Sequence, residues 1–431
     1  MTLNETFSAD QTPALEQDSG SSWLDEVRAE VAAVLTIDDE SELRRFENFA
    51  ITFKGRLQVE AGEAFTFLTN RLEPLGFTPF LQREGGSDVV VAVQGLLSNP
   101  EEEKGGGPLQ RLARASGRSP GWFHGLLLIA TIGSTMYAGA FLLANNGTAS
   151  VGDVIAAGGP FALALLLILG IHEMGHYVAA RYHRVKVTLP FFIPLPIPGS
   201  LGTLGAVIFI RSPLQTRRSL FDVGISGPLA GLIVALPIFV IGLLLPPIDF
   251  GAPINLVFRG VGVPPLLDLI GRPVVDGSLS RAILTHPVAL AAWFGILLTA
   301  LNLLPLGQFD GGHVAYALVG RWAWPLAGVV FTGLLLAGFL FWPTWLIWAF
   351  LAGLTGLRHP PPHDDITQLD LRRKLIGWAT VGIFLLIVMP QPIITRQSLL
   401  PTSNSNAPAV PTMAPLAIPT SAPFTLPTPR P

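Results

Sequence analysis

Residues 168–183 read ILGIHEMGHYVAARYH. On a helix, His172 and His176 stand four residues apart and face the same way. Two imidazoles at that spacing can hold one Zn2+ ion, and Glu173 beside them can take a proton from a water there. The pattern is short and also arises in soluble helices, as two ordinary histidines with a surface glutamate. Its setting argues against that reading. The eleven residues before it, FALALLLILGI, are apolar, and the first positive residue after it is Arg181. At about 1.5 Å per residue the motif lies roughly 10 Å inside a membrane boundary. Polar groups there are expensive and usually mark function, and an unpaired glutamate would cost several kcal/mol.

A catalytic zinc site takes three protein ligands and leaves a fourth position for water. The chain has no cysteine, which excludes disulfides and thiolate ligands, so the third ligand must be His, Asp or Glu. The leading candidate is Asp310 in LTALNLLPLGQFDGGHV, residues 298–314. It follows an apolar span that breaks at Pro305, and Gly311 and Gly312 come after it. Broken backbone at membrane depth is tolerated where it lines a polar cavity. A plain aspartate capping the next helix is the alternative. His313 is a rival ligand and His286 a more distant one. His313 fits better as a neighbour that hydrogen-bonds a ligand.

These side chains need elements that hold them. Half of the 431 residues are hydrophobic and 13% are charged, against about 25% charged in ordinary soluble domains. The net charge of −3 argues against a nucleic-acid partner. The expected fold is an α-helical polytopic membrane protein of about 6–8 spans with a re-entrant β-rich segment, plus a small N-terminal soluble α+β domain. Residues 1–21 are polar, Ser-rich and expected to be disordered. Residues 22–97 form the soluble domain, 98–120 a charged, Gly-rich linker and 121–392 the membrane domain. Residues 393–431 are Pro/Ser/Thr-rich and expected to be disordered. The polar, acidic first thirty residues predict no cleavable signal peptide. In the soluble domain, SSWLDEVRAEVAAVLTI and GEAFTFLTNRLEPLGF have helical spacing, whereas FAITFKGRLQV and DVVVAVQG read as two strands.

Seven spans, each needing roughly 20 apolar residues, are expected near 122–145, 154–180, 220–245, 286–304, 323–341, 343–357 and 375–390, the last two being short. Basic residues cluster before the first span (Lys104, Arg111, Arg114, Arg118) and between the second and third (Arg181, Arg184, Lys186, Arg211, Arg217, Arg218). A third cluster, Arg358, Arg372, Arg373 and Lys374, precedes the seventh. On the other side, Arg259, Arg272 and Arg281 are balanced by Asp249, Asp268 and Asp276. The positive-inside rule then puts the N-terminus in the cytoplasm and the C-terminus on the opposite side of the bilayer.

Two further stretches bear on the site. PFFIPLPIPGSLGTLGAVIFIRS, residues 190–212, is interrupted too often by Pro and Gly to be a membrane helix, and it ends in a β-rich run. A strand edge there, with Gly205, Ala206 and Val207 at its centre, could pair with an unwound substrate. The alternative is a structural hairpin that touches no substrate. In SGPLAGL, residues 226–232, Gly227 and Gly231 make a small face for packing closely against the metal-bearing helix.

His172-Glu173-x-x-His176 in one apolar segment, with Asn302-x-x-Pro305-x-x-x-x-Asp310-Gly311 in a later one, resembles the site-2 protease family. The resemblance covers roughly residues 120–360. It implies an intramembrane zinc metalloprotease with one Zn2+ per chain on His172, His176 and Asp310, Glu173 as catalytic base, and Asn302 near the substrate carbonyl. Residues 53–81, PGSLGTLGAVI and HPVALAAWFGILLTALNLLPLGQFDGG are similar to the chloroplast EGY-type branch and its bacterial relatives. One departure is Lys54-Gly55-Arg56-Leu57, where that branch tends to have Arg-Gly-Asn-Leu. The implied partners are the lipid bilayer and a transmembrane protein substrate, with a possible regulator on residues 22–97. A non-catalytic scaffold on the same fold and a metal transporter are the other functional classes. All the motif residues are present, against the first; no repeat of the spans is visible, against the second.

Overall fold

In the computed structural model the described residues are 20–45, 48–95, 121–143, 150–197, 200–247, 260–389, 391 and 393–394. The expected linker at 98–120 and the two tails lie almost wholly outside them. So do Lys104, Arg111, Arg114, Arg118, Asp249 and Arg259.

The N-terminal domain repeats a helix–strand–strand unit: α1 (Gly20–Ala32), β1 (Leu35–Arg45), β2 (Asn48–Leu57), then α2 (Ala61–Leu72), β3 (Phe77–Glu84), β4 (Ser87–Gln94). The sheet is antiparallel in the order β1-β2-β4-β3. Val27, Val31, Leu68 and Leu72 of the helices bury against Ile51, Phe53, Leu81 and Val90 of one sheet face. The domain therefore has four strands where periodicity indicated two, and both helical readings ran too far. The two missed strands are the sheet's edges. β1 is acidic and pairs on one side only, so it needs no apolar alternation. β3 contains Pro79, which a central strand excludes and an edge tolerates. Gly55 of the Lys-Gly-Arg-Leu stretch sits against the irregularity in β1, where any Cβ would collide with the Thr36 carbonyl.

The second part is helical. Four helices are long and apolar enough to cross a membrane: α3 (Gly121–Leu143), α4 (Val151–Tyr182), α5 (Arg217–Leu244) and α9 (Asp310–Leu340). A fifth is possible if α7 (Leu279–Thr285) and α8 (Pro287–Asn302) count as one span bent by 113°. The short α6 (Pro265–Gly271) precedes them; α10 (Thr344–Thr355) and α11 (Leu371–Ile387) follow, both shorter than a full crossing. The seven expected apolar segments are thus all helical, while length alone admits four or five crossings. Outward positions such as Ile129, Leu163, Ile233 and Val329 are exposed and apolar, the surface a bilayer would cover. α8 runs through the middle, with Trp293, Leu290 and Ile296 fully buried.

Between α4 and α5 the chain makes the expected β segment, a hairpin of β5 (Phe191–Pro194) and β6 (Thr203–Val207). It leans on α3, where the Ser134 hydroxyl donates to the Gly202 carbonyl (2.6 Å). Among the described residues β6 pairs with β5 alone, so its other edge is open.

Candidate metal centre

α4 carries His172, Glu173 and His176 on its buried side. α8 ends at Asn302, the chain turns through residues 303–309, and α9 starts at Asp310. That turn brings Asp310 back onto the histidines. His172 Nε2 lies 3.2 Å from His176 Nε2 and 3.2 Å from Asp310 Oδ2, and His176 Nε2 lies 3.3 Å from Asp310 Oδ2. Among the described residues these three form the one group of donors able to share a metal ion.

The triangle fits a zinc ion. Ligands at about 2.05 Å in a tetrahedron stand about 3.3 Å from one another. The tautomer agrees as well. His176 Nδ1 donates its proton to the Val223 carbonyl (2.7 Å), which leaves Nε2 with a lone pair facing Asp310. That lone pair is oriented to meet a metal ion shared with Asp310.

The structure places the other expected residues around this triangle. Glu173 lies on the same cleft, which Ile208 at the end of the hairpin also lines. Asn302 Nδ2 is 3.3 Å from His172 Nε2. Gly205, Ala206 and Val207 line the cleft together with Asn302 and Asp310, in a space of about 360 Å³. His313 also lines it but stands outside the triangle, its Nδ1 donating to the Phe309 carbonyl (2.9 Å). His286 is elsewhere and caps α8, accepting from the Val288 N–H (3.2 Å). Asp310 does open a helix, as the plain reading held, yet its side chain points at the histidines. Gly227 and Gly231 pack against this centre as expected. A Cβ on Gly227 would lie 2.5 Å from His176 Cε1, and one on Gly231 3.2 Å from His172 Cβ. Sequence reasoning missed Gln308, which lines the cleft from the 303–309 turn. Its only signal was a polar side chain inside an apolar run.

Residues 160–341 match the sequence model of Peptidase family M50. The membrane core is similar to that family. The match spans α4 to the end of α9 and so includes every residue of the triangle. The chain is 28% identical over 361 residues to the probable zinc metalloprotease EGY2, chloroplastic, of Oryza sativa subsp. indica, covering 79% of this chain and 62% of that protein. It is 30% identical over 322 residues to the protein of the same name from Arabidopsis thaliana, covering 69% and 54%. It is also 33% identical over 241 residues to the probable zinc metalloprotease EGY1, chloroplastic, of Oryza sativa subsp. japonica, covering 54% and 40%. The EGY-type resemblance read from the sequence is borne out. The chain spans at most about three fifths of the length of these relatives.

Proposed function

We propose that the protein is a zinc-dependent endopeptidase that cuts peptide bonds within transmembrane segments of membrane proteins. The observation that carries this reading is the ligand triangle with Glu173 beside it, walled by an open strand edge. His172, His176 and Asp310 hold one Zn2+, which when bound would polarise a peptide carbonyl and acidify a nearby water. Glu173 takes the proton from that water and hands it to the departing amine nitrogen. A peptide bond in a helix hides its carbonyl in intrahelical hydrogen bonds, so the substrate must unwind. The open edge of β6 at Gly205, Ala206 and Val207 takes the unwound backbone by strand pairing. Asn302 Nδ2 donates to the scissile carbonyl oxygen, and His313 steadies the turn that bears Asp310 by its bond to Phe309.

The reading includes a setting. The N-terminal domain and the basic loops face the cytoplasm, the C-terminus lies on the opposite side, and the shorter helices complete six to eight crossings. Water reaches the centre from the cytoplasmic face.

The test is Glu173→Gln, which keeps the side chain's size and removes its basicity. The assay uses membranes reconstituted with a membrane-spanning reporter and supplied with zinc. Zinc content and folding are expected to be unchanged. Cleavage is expected to fall by at least about 10²–10⁴-fold, the usual worth of general base catalysis. Equal cleavage by both proteins sinks the mechanism, and no cleavage by the wild type favours the scaffold.

A further inference from the structure

Residues 356–370 join α10 to α11 without helix or regular sheet, yet they touch both halves of the protein. On the soluble side this strap lies along the open edge of β3. The Leu81 N–H donates to the His363 carbonyl (2.6 Å), and the Asp365 N–H donates to the Leu81 carbonyl (2.9 Å). The Phe80 ring lies against that of His363, centroids 4.4 Å apart. Beside them, Arg321 of the membrane core donates to Gln82 Oε1 (3.1 Å) and pairs with Glu84.

On the membrane side the strap is anchored by buried polar groups. The Asp364 N–H donates to the Gln215 carbonyl (2.7 Å). The Asp365 carboxylate accepts from Arg217 Nε (2.9 Å) and the Tyr316 hydroxyl (3.0 Å). A buried carboxylate with these partners is costly to undock. Nearest the metal centre, the His359 ring packs edge-on against His313, at 4.6 Å and 74°, and Trp324 Nε1 donates to the His359 carbonyl (3.0 Å). His359 Nδ1 is buried with no hydrogen-bond partner, so this ring contributes shape more than polarity. The opposite side of the same helical turn is wedged by α5, where a Cβ on Gly224 would stand 2.7 Å from His313 Cβ. The Gly356 carbonyl presses on Gly307, leaving no room for a Cβ in the turn that leads to Asp310.

We propose that the strap is a positioning element of the metal centre: through His359 it transmits the docking of the N-terminal domain to the first turn of α9, and so holds Asp310 in place. The first turn of α9 is gripped between α5 and the strap, and the strap in turn is gripped by β3. Residues 20–95 then form part of the working site. The inference rests on the protease reading for its cleavage readout and only on the ligand triangle for its metal readout.

The test uses the full chain and two readouts, the rate of zinc loss to a chelator and cleavage of the membrane-spanning reporter. His359→Ala removes the ring, and His359→Phe keeps its shape. Phe80→Ala with Arg321→Ala loosens the domain without touching the cleft. Zinc loss is expected to quicken at least tenfold in His359→Ala and in the double variant, with kcat reduced and KM held. His359→Phe is expected to stay within about twofold of the wild type. The chain has no cysteine, so Phe80→Cys with His363→Cys, in the Arg321→Ala background, supplies its only thiols. Oxidising that pair is expected to restore zinc retention. Unchanged zinc loss in the double variant, or His359→Phe as defective as His359→Ala, overturns the proposal. If the wild type cuts no reporter while zinc loss still responds, the protease reading fails and the positioning role stands.

Discussion

Gly227→Ala adds one methyl group and should disable the metal centre. The added Cβ would lie 2.5 Å from His176 Cε1 and closer still to the ring's Nε2 and Cδ2. Ordinary contact between such atoms is about 3.5–4.0 Å. Something must therefore move by about 1 Å or more. The imidazole cannot swing away freely, because Nδ1 is tied to the Val223 carbonyl at 2.7 Å. Backing α5 off would give up its close seat on α4, where the Ser226 carbonyl oxygen stands 2.5 Å from the Cβ position of Gly175. Overpacking of this kind costs about 1–3 kcal/mol. The functional loss should be larger than the stability loss. Metal ligands tolerate about 0.2 Å of displacement, and about 1 Å of misplacement at a reacting centre can cost on the order of 10²-fold in rate. Gly231→Ala meets His172 Cβ at 3.2 Å and should be much milder. Gly328→Ala, with nothing within 4 Å, should be silent. The assay is zinc stoichiometry after dialysis, alongside the melting temperature and reporter cleavage of all three variants. A Gly227→Ala protein that keeps full zinc and wild-type cleavage would show the helix packing, and the reasoning built on it, to be wrong.

Two further outcomes are expected. Asp310→Ala removes the only carboxylate of the triangle and should abolish zinc retention, whereas His313→Ala keeps all three ligands and should only quicken zinc loss; zinc kept in the former would mean that another group completes the site. The strap should also respond to pH. Burial pushes His363 down to about 4 and His359 to about 3. Between these values and the ordinary histidine value of about 6.5, the unfolded strap binds more protons than the docked one. Docking therefore strengthens as pH rises through that window and weakens as pH falls from about 6.5 toward 4. Limited proteolysis between β4 and α3 across pH 7.5 to 5 reads this, and flat susceptibility would refute it.

The pair of histidines, the glutamate beside them and the aspartate far along the chain were legible because their physics is local. A four-residue spacing on a helix, polar groups inside apolar runs and a Pro/Gly break each show in a short window. The hairpin was legible for the same reason: Pro and Gly forbid a helix at residues 190–212 whatever surrounds them. Edge strands β1 and β3 were not, because an edge needs neither apolar alternation nor freedom from proline, and only its partner reveals it. Nor could spacing choose between Asp310 and His313, three residues apart on one helix. That choice came from the turn at 303–309, which aims Asp310 at the histidines and leaves His313 to the strap. The strap itself has no signature in LRHPPPHDDITQLD. Its bonds are long-range backbone and side-chain contacts to Leu81, Gln215, Arg217 and Tyr316, and those partners meet only once both halves of the chain have folded.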